Sequence, residues 1–139
     1  MIRTTIIVAA VACMLLVASC GSGGPYGEAK ALISEQVGIM NTLVNNMDKA
    51  GSATDVANAF KAYNDAMERL APRLKDFAKR NTELAKAEEI PAELTEEMKK
   101  LQEVSIRMGE VSTKSAQFMS DPEVSKEIDR MMKIMSDKE

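Results

Sequence analysis

Residues 53–77, ATDVANAFKAYNDAMERLAPRLKDF, set an apolar side chain at every fourth or third step: Val56, Phe60, Tyr63, Met67, Leu70, Leu74 and Phe77. An α-helix with one buried face has that period, whereas a strand alternates every second residue. The intervening positions are mostly Ala, Lys, Glu, Asp and Arg, which either favour helix or keep its outer face in water. Ser52, followed three residues later by Asp55, supplies an N-cap with an acid in the first turn. Leu84 repeats the rhythm one heptad after Phe77, so the spacing predicts a helix over 53–88. Pro72 lacks an amide hydrogen and crowds the preceding turn, which predicts a kink or break near Leu70.

The same reading extends in both directions. Ile33, Val37, Met40, Val44 and Met47 step by four and three until Lys49-Ala50-Gly51 ends the run, giving a helix over 28–49. Ile90-Pro91 opens a third stripe of Leu94, Met98, Leu101, Val104, Met108, Val111, Phe118 and Met119, over 92–119. Small residues lie between them, at Ser105, Gly109, Ser112, Ser115 and Ala116, where another helix could approach closely. Ser120-Asp121-Pro122-Glu123 combines a cap, a first-turn proline and an acid, and Val124, Ile128, Met131 and Met135 follow, over 122–136. The fold class is all-α. Short connections make consecutive helices antiparallel, so an up-and-down bundle of three to four helices is expected over residues 28–139.

On the outer faces, acids precede bases by four residues: Asp65 and Arg69, Asp76 and Arg80, Glu96 and Lys100, Glu103 and Arg107, Glu110 and Lys114, Asp129 and Lys133. Such pairs mark a solvated surface. The basic group Arg69, Arg73, Lys79 and Arg80 reads as part of that surface.

The N-terminus has another character. After Arg3 the chain runs uncharged and apolar from Ile6 through Ala18, then reaches Ser19-Cys20 and Gly21-Ser22-Gly23-Gly24. An apolar helix of that length spans about 20 Å, short of the roughly 30 Å hydrocarbon core of a bilayer. It reads as a signal peptide instead. Val17-Ala18-Ser19-Cys20 resembles the lipobox of bacterial lipoproteins. The resemblance implies that Cys20 receives a diacylglyceryl group on its thiol, becomes the first mature residue and is acylated on its new amino terminus. Residues 1–19 would then be removed, 20–27 would form a flexible linker of Gly and Ser beside the lipid, and 28–139 would fold. Two or more acyl chains hold a protein stably on a membrane where one does not. In enteric lipoproteins an aspartate after the cysteine retains the protein in the inner membrane; Gly21 stands there here. The expected location is therefore the cell envelope, at the outer membrane facing the periplasm if the source is Gram-negative.

Composition narrows the chemistry. The chain of 139 residues has a net charge of −3, and removal of Arg3 with the signal makes it −4. No basic surface for nucleic acid follows from such a balance. Histidine is absent, and of the two cysteines Cys13 lies in the signal and Cys20 would carry lipid. That withdraws the usual general base, the Ser/His and Cys/His pairs and nearly all zinc sites, and no Gly-rich phosphate loop occurs. The carboxylate pairs Glu88-Glu89 and Glu96-Glu97 flank Pro91 at helix ends, where acids are ordinary. The sequence points away from an enzyme, and no cofactor is expected.

Methionine is the one enrichment, with eleven in the chain and three close together at Met131, Met132 and Met135. Thioethers are soft ligands suited to Cu(I), and they are also adaptable fillers of cores and binding faces. Met40, Met47, Met67, Met98 and Met108 fall on the apolar stripes, which favours packing. The run Met40-Asn41-Thr42-Leu43-Val44-Asn45-Asn46, ahead of an alanine-rich turn and another amphipathic helix, resembles the opening of the soluble periplasmic four-helix-bundle b-type cytochromes. That resemblance implies a four-helix bundle with Met40 as an axial haem ligand; the histidine that is the other ligand in that family has no counterpart. The heptads and lipid signal are also similar to those of the small murein lipoprotein. Its terminal lysine is not matched by Asp137-Lys138-Glu139, so covalent linkage to the wall is not expected.

Two functions remain open at this point. One is a noncatalytic interaction or structural module, held to the membrane by its lipid and facing an envelope protein or its own copies. The other is a ligand-binding bundle using methionine thioethers, Met131, Met132, Met135 and Met40, for Cu(I) or haem.

Overall fold

The computed structural model describes residues 24–136. Cys20, the expected signal segment 1–19 and residues 21–23 of the expected linker lie outside the described residues. The fold is all-α: α1 (Gly24–Lys49), α2 (Ala53–Arg80), a single turn α3 (Thr82–Ala85), a 3₁₀ turn (Ala92–Leu94), α4 (Thr95–Ala116) and α5 (Pro122–Ser136).

α1 begins four residues before the expected Glu28, and its first turn is Gly24-Pro25-Tyr26-Gly27. Pro25 fits there because a first-turn amide has no helical acceptor and the fixed φ of proline is already helical. These residues therefore belong to the helix and not to the spacer. The turn into α2 is reciprocal. Asp55 N–H donates to Ser52 Oγ at 3.2 Å, while the Asp55 carboxylate accepts from the Ser52 hydroxyl at 2.8 Å and from Gly51 N–H at 3.1 Å. Those donors hold the Asp55 carboxyl below its ordinary range, the Ser52 hydroxyl contributing most.

α2 is shorter than expected: it stops at Arg80 instead of reaching 88, and of the kink or break expected near Leu70 the break does not occur, the helix running on through Pro72. Asn81 stops it: with φ −126° and ψ 53° it leaves the helical region, and both its backbone N–H and its side-chain amide donate to Phe77 O, at 2.9 and 3.0 Å. Leu84 continues the heptad in sequence but belongs to the separate turn α3. The third long helix also ends early, at Ala116, and residues 117–120 are turns before Asp121 caps α5 through its Oδ1.

Cross-helix pairs set the directions. Glu28 meets Arg80 at 2.7 Å and Glu35 meets Arg73 at 2.6 Å, so α1 and α2 are antiparallel. Asn41 meets Arg107 at 3.2 Å and Asp48 meets Lys114 at 2.8 Å, so α4 runs alongside α1 in the same sense. Asn64 meets the Glu127 carbonyl at 2.8 Å and Glu68 meets Arg130 at 2.7 Å, so α5 likewise follows α2. In chain order the four long helices alternate up, down, up, down. Their order in space is different: α4 packs on α1, α1 on α2 and α2 on α5, while α4 and α5 do not pack along one another.

The core reflects that order. α1 contributes Leu32, Leu43, Val44 and Met47, and α2 contributes Val56, Phe60, Tyr63, Met67 and Leu70, all buried. α4 adds Val104 and Val111, and α5 adds only Val124. Burial raises the Tyr63 phenol above its ordinary range. One polar side chain is fully buried between α2 and α5. The Asn64 amide nitrogen donates to the Glu127 carbonyl and carboxylate at 2.8 and 3.0 Å, while its oxygen has no partner.

Candidate interaction surface

α4 and α5 each have two edges beside their buried strip, and the edges differ. On α4 one edge is closed by charge. Arg107 reaches Asn41 at 3.2 Å and Asp48 at 3.8 Å, and Lys114 reaches Asp48 at 2.8 Å. Lys114 donates to the Asp48 carboxylate, and that hydrogen bond with the attendant charge lowers the Asp48 pKa. On α5 the corresponding edge is closed by Arg130, which holds Asp65 at 2.8 Å, Glu68 at 2.7 Å and Glu127 at 3.4 Å. Asp65 is lowered mainly by Lys61 and then by Arg130, and Glu68 mainly by Arg130; the guanidinium itself is pushed above its ordinary range.

The opposite edges carry no such pairs among the described residues. On α4, Leu101, Ser105, Met108 and Ser112 succeed one another by four, three and four, with the leucine and methionine half-buried and the serines exposed. A side chain added at the exposed Gly109 would meet nothing within 4 Å. On α5, Ile128 is half-buried, and Met132 and Met135, continuing by four and three, are 51% and 44% exposed. Met119, in the turn joining the two helices, is 51% exposed. α4 and α5 lie at the two ends of the packing order, and among the described residues no further helix packs along these edges beyond the core contacts of Leu101, Met108 and Ile128.

The methionines singled out in the sequence therefore divide. Met40 is packed in the core on α1, Met131 is half-buried against that core from α5, and Met132 and Met135 face outward. α1 packs on α2 and α4, and α5 packs on α2, so Met40 sits on a different packing pair from the other three. Among the described residues no cluster of His, Cys, Asp and Glu is arranged to hold a metal ion, and no helix is long and apolar enough to cross a membrane. The small-residue stripe splits as well: Ser115 is buried, its hydroxyl donating to the Ser112 carbonyl at 3.1 Å, whereas Ser105, Gly109, Ser112 and Ala116 are exposed.

Of the expected four-residue ion pairs, Asp76 with Arg80 at 2.8 Å and Glu96 with Lys100 at 3.2 Å form. Arg107 and Lys114 turn instead to α1, and Asp65 pairs with Lys61 and Arg130. Arg73 and Arg80 of the basic group are engaged with Glu35, Glu28 and Asp76. Comparison with protein-family models, curated proteins and solved structures finds no match for this chain.

Proposed function

We propose that the protein is a lipid-anchored, noncatalytic interaction module of the cell envelope, tethered through Cys20, whose binding face is the uncovered edge of α4 and α5. The observation that carries this reading is the exposure of Met119, Met132 and Met135, together with the strip of exposed small residues Ser105, Gly109 and Ser112 on α4. Small side chains permit a partner backbone to come close, and thioether chains repack around whatever shape arrives. The partner that fits is an amphipathic helix of another envelope protein, laid with its apolar side along the edge. Lipid attachment supports the reading because it confines the search for that partner to the membrane surface.

The test is photocrosslinking in cells from a reactive residue placed at Ser112 or Met132, both exposed. The reading expects a discrete adduct with one envelope protein, lost when Gly109→Arg or Met135→Glu is added. Adducts of this chain with itself, or adducts indifferent to both changes, would overturn the assignment of partner. The tether is tested separately by the mass of the mature N-terminal peptide, expected to begin at an acylated Cys20.

A further inference from the structure

At the end of the bundle where α1 begins, the connection 81–94 folds back across α1 and α2 and borders a second feature, an apolar cavity of about 230 Å³ that is open to solvent on one side. Leu32, Phe77, Leu84, Leu94 and Met98 line it, and Ile90, 56% exposed, stands among them. Glu89 is the only charged residue of the lining, and no lysine or arginine takes part. A phosphate or carboxylate would find no cation there. A hydrocarbon chain would find apolar walls everywhere but at Glu89. The volume falls below the roughly 300–1,000 Å³ of pockets for drug-sized ligands, which suits part of one chain better than a broad ring system.

Position identifies the source of such a chain. Ala29, on the cavity wall, lies five residues into α1 from Gly24, about 7.5 Å along the helix axis. Cys20 precedes Gly24 by four residues, which reach at most about 14 Å. A group on Cys20 is thus confined to the neighbourhood of the cavity, and a short tether raises its local concentration to about the millimolar range. We infer that the cavity is an acyl-chain site and that its occupant is one of the chains carried by Cys20. This rests on the lipid-anchor reading above. The remaining chains hold the bilayer, and the bundle sits down on its α1 end instead of swinging on its spacer.

A palmitate analogue bearing a diazirine, fed to cells, is incorporated into the lipid on Cys20; irradiation of intact membranes followed by peptide mass spectrometry locates what the chain touches. The expected result is an intramolecular crosslink from the Cys20 lipid to peptides covering residues 74–98. It should fall at least ten-fold in Ala87→Trp, which fills the cavity from an exposed position, and in Ile90→Glu, which puts a charge among its exposed walls. Thermal melts of both variants confirm that the bundle stays folded. An acylated Cys20 whose chains label only bilayer lipid, or a crosslink that neither variant weakens, overturns the acyl site while leaving the anchor intact. Absence of the analogue from the Cys20 peptide overturns the anchor reading and this occupant with it.

Discussion

Replacing Val124 with alanine should loosen one helix and leave the rest of the bundle standing. Val124 is 0% exposed and is the only fully buried side chain that α5 contributes, with Ile128, Met131 and Ile134 half-buried beside it. The substitution removes two buried carbons, about 1.6 kcal/mol at roughly 0.8 kcal/mol for each. Incomplete collapse around the gap raises the cost to about 2–3 kcal/mol. α5 contacts only α2 extensively, so the loss should appear as local opening of 122–136. A cost of 2 kcal/mol corresponds to an opening equilibrium about thirty-fold more favourable. Native-state amide hydrogen exchange measures it directly: the amides of α5 should lose about that factor of protection while those of Leu43, Val44 and Leu70 keep theirs. Protection that falls equally in α1, α2 and α5 would refute the reasoning, because α5 would then open only with the whole molecule.

Acid should release the same helix. The Asp65 and Glu68 carboxyls lie below their ordinary values of 3.8 and 4.5, so the stability they lend is fully present above those values and is lost as pH falls through the lower folded ones. Protection of α5 is therefore expected to hold steady above about pH 5 and to decline below about pH 4.5, and a decline on raising the pH from 5 to 7 would contradict the assignment. Ser52→Ala removes the oxygen that caps α2 and should cost about 0.5–2 kcal/mol, read as a shift in the urea midpoint with the slope unchanged. Exchanging Met131, Met132 and Met135 for leucine preserves most of the volume and should change stability by less than about 1.5 kcal/mol. In a Cu(I) competition titration that triple variant should match the parent; a clear loss of affinity would show that the thioethers serve as ligands.

Local chemistry made the ends of several elements legible. Lys49 closes α1, Ser52 with Asp55 opens α2, and Asp121-Pro122 opens α5, because each signal acts within one turn of the chain. The end of α2 was hidden for the opposite reason. Leu84 keeps the heptad, and Asn81 becomes a stop only when its amide folds back onto Phe77 O. Spatial order was not legible either, since an apolar stripe says that a face is buried but not against which partner. The charges on Arg107 and Lys114 were visible, yet a local acid four residues earlier is as available in sequence as Asp48 is in space. Similarly, Met132, Met135 and Ser112 could each be noticed, but an edge without cover is a property of how α4 and α5 are placed. Asn64 gave no signal at all: surrounded by ordinary helix residues, it reads as a surface position until α5 lies over it.

The central place of α1 has a mechanical side. The chain enters the bundle through this helix, with α2 packed on one flank and α4 on the other. A pull arriving from the N-terminus is directed into α1, and to move it must slide lengthwise past two neighbours together, dragging Leu43, Val44 and Met47 across the side chains between which they are buried. Its ion pairs to Arg73, Arg80 and Lys114 would have to break in the same movement. α5, which packs mainly on α2, stands outside that line of force, so tension applied at the N-terminus loads the two interfaces of α1 and bypasses α5.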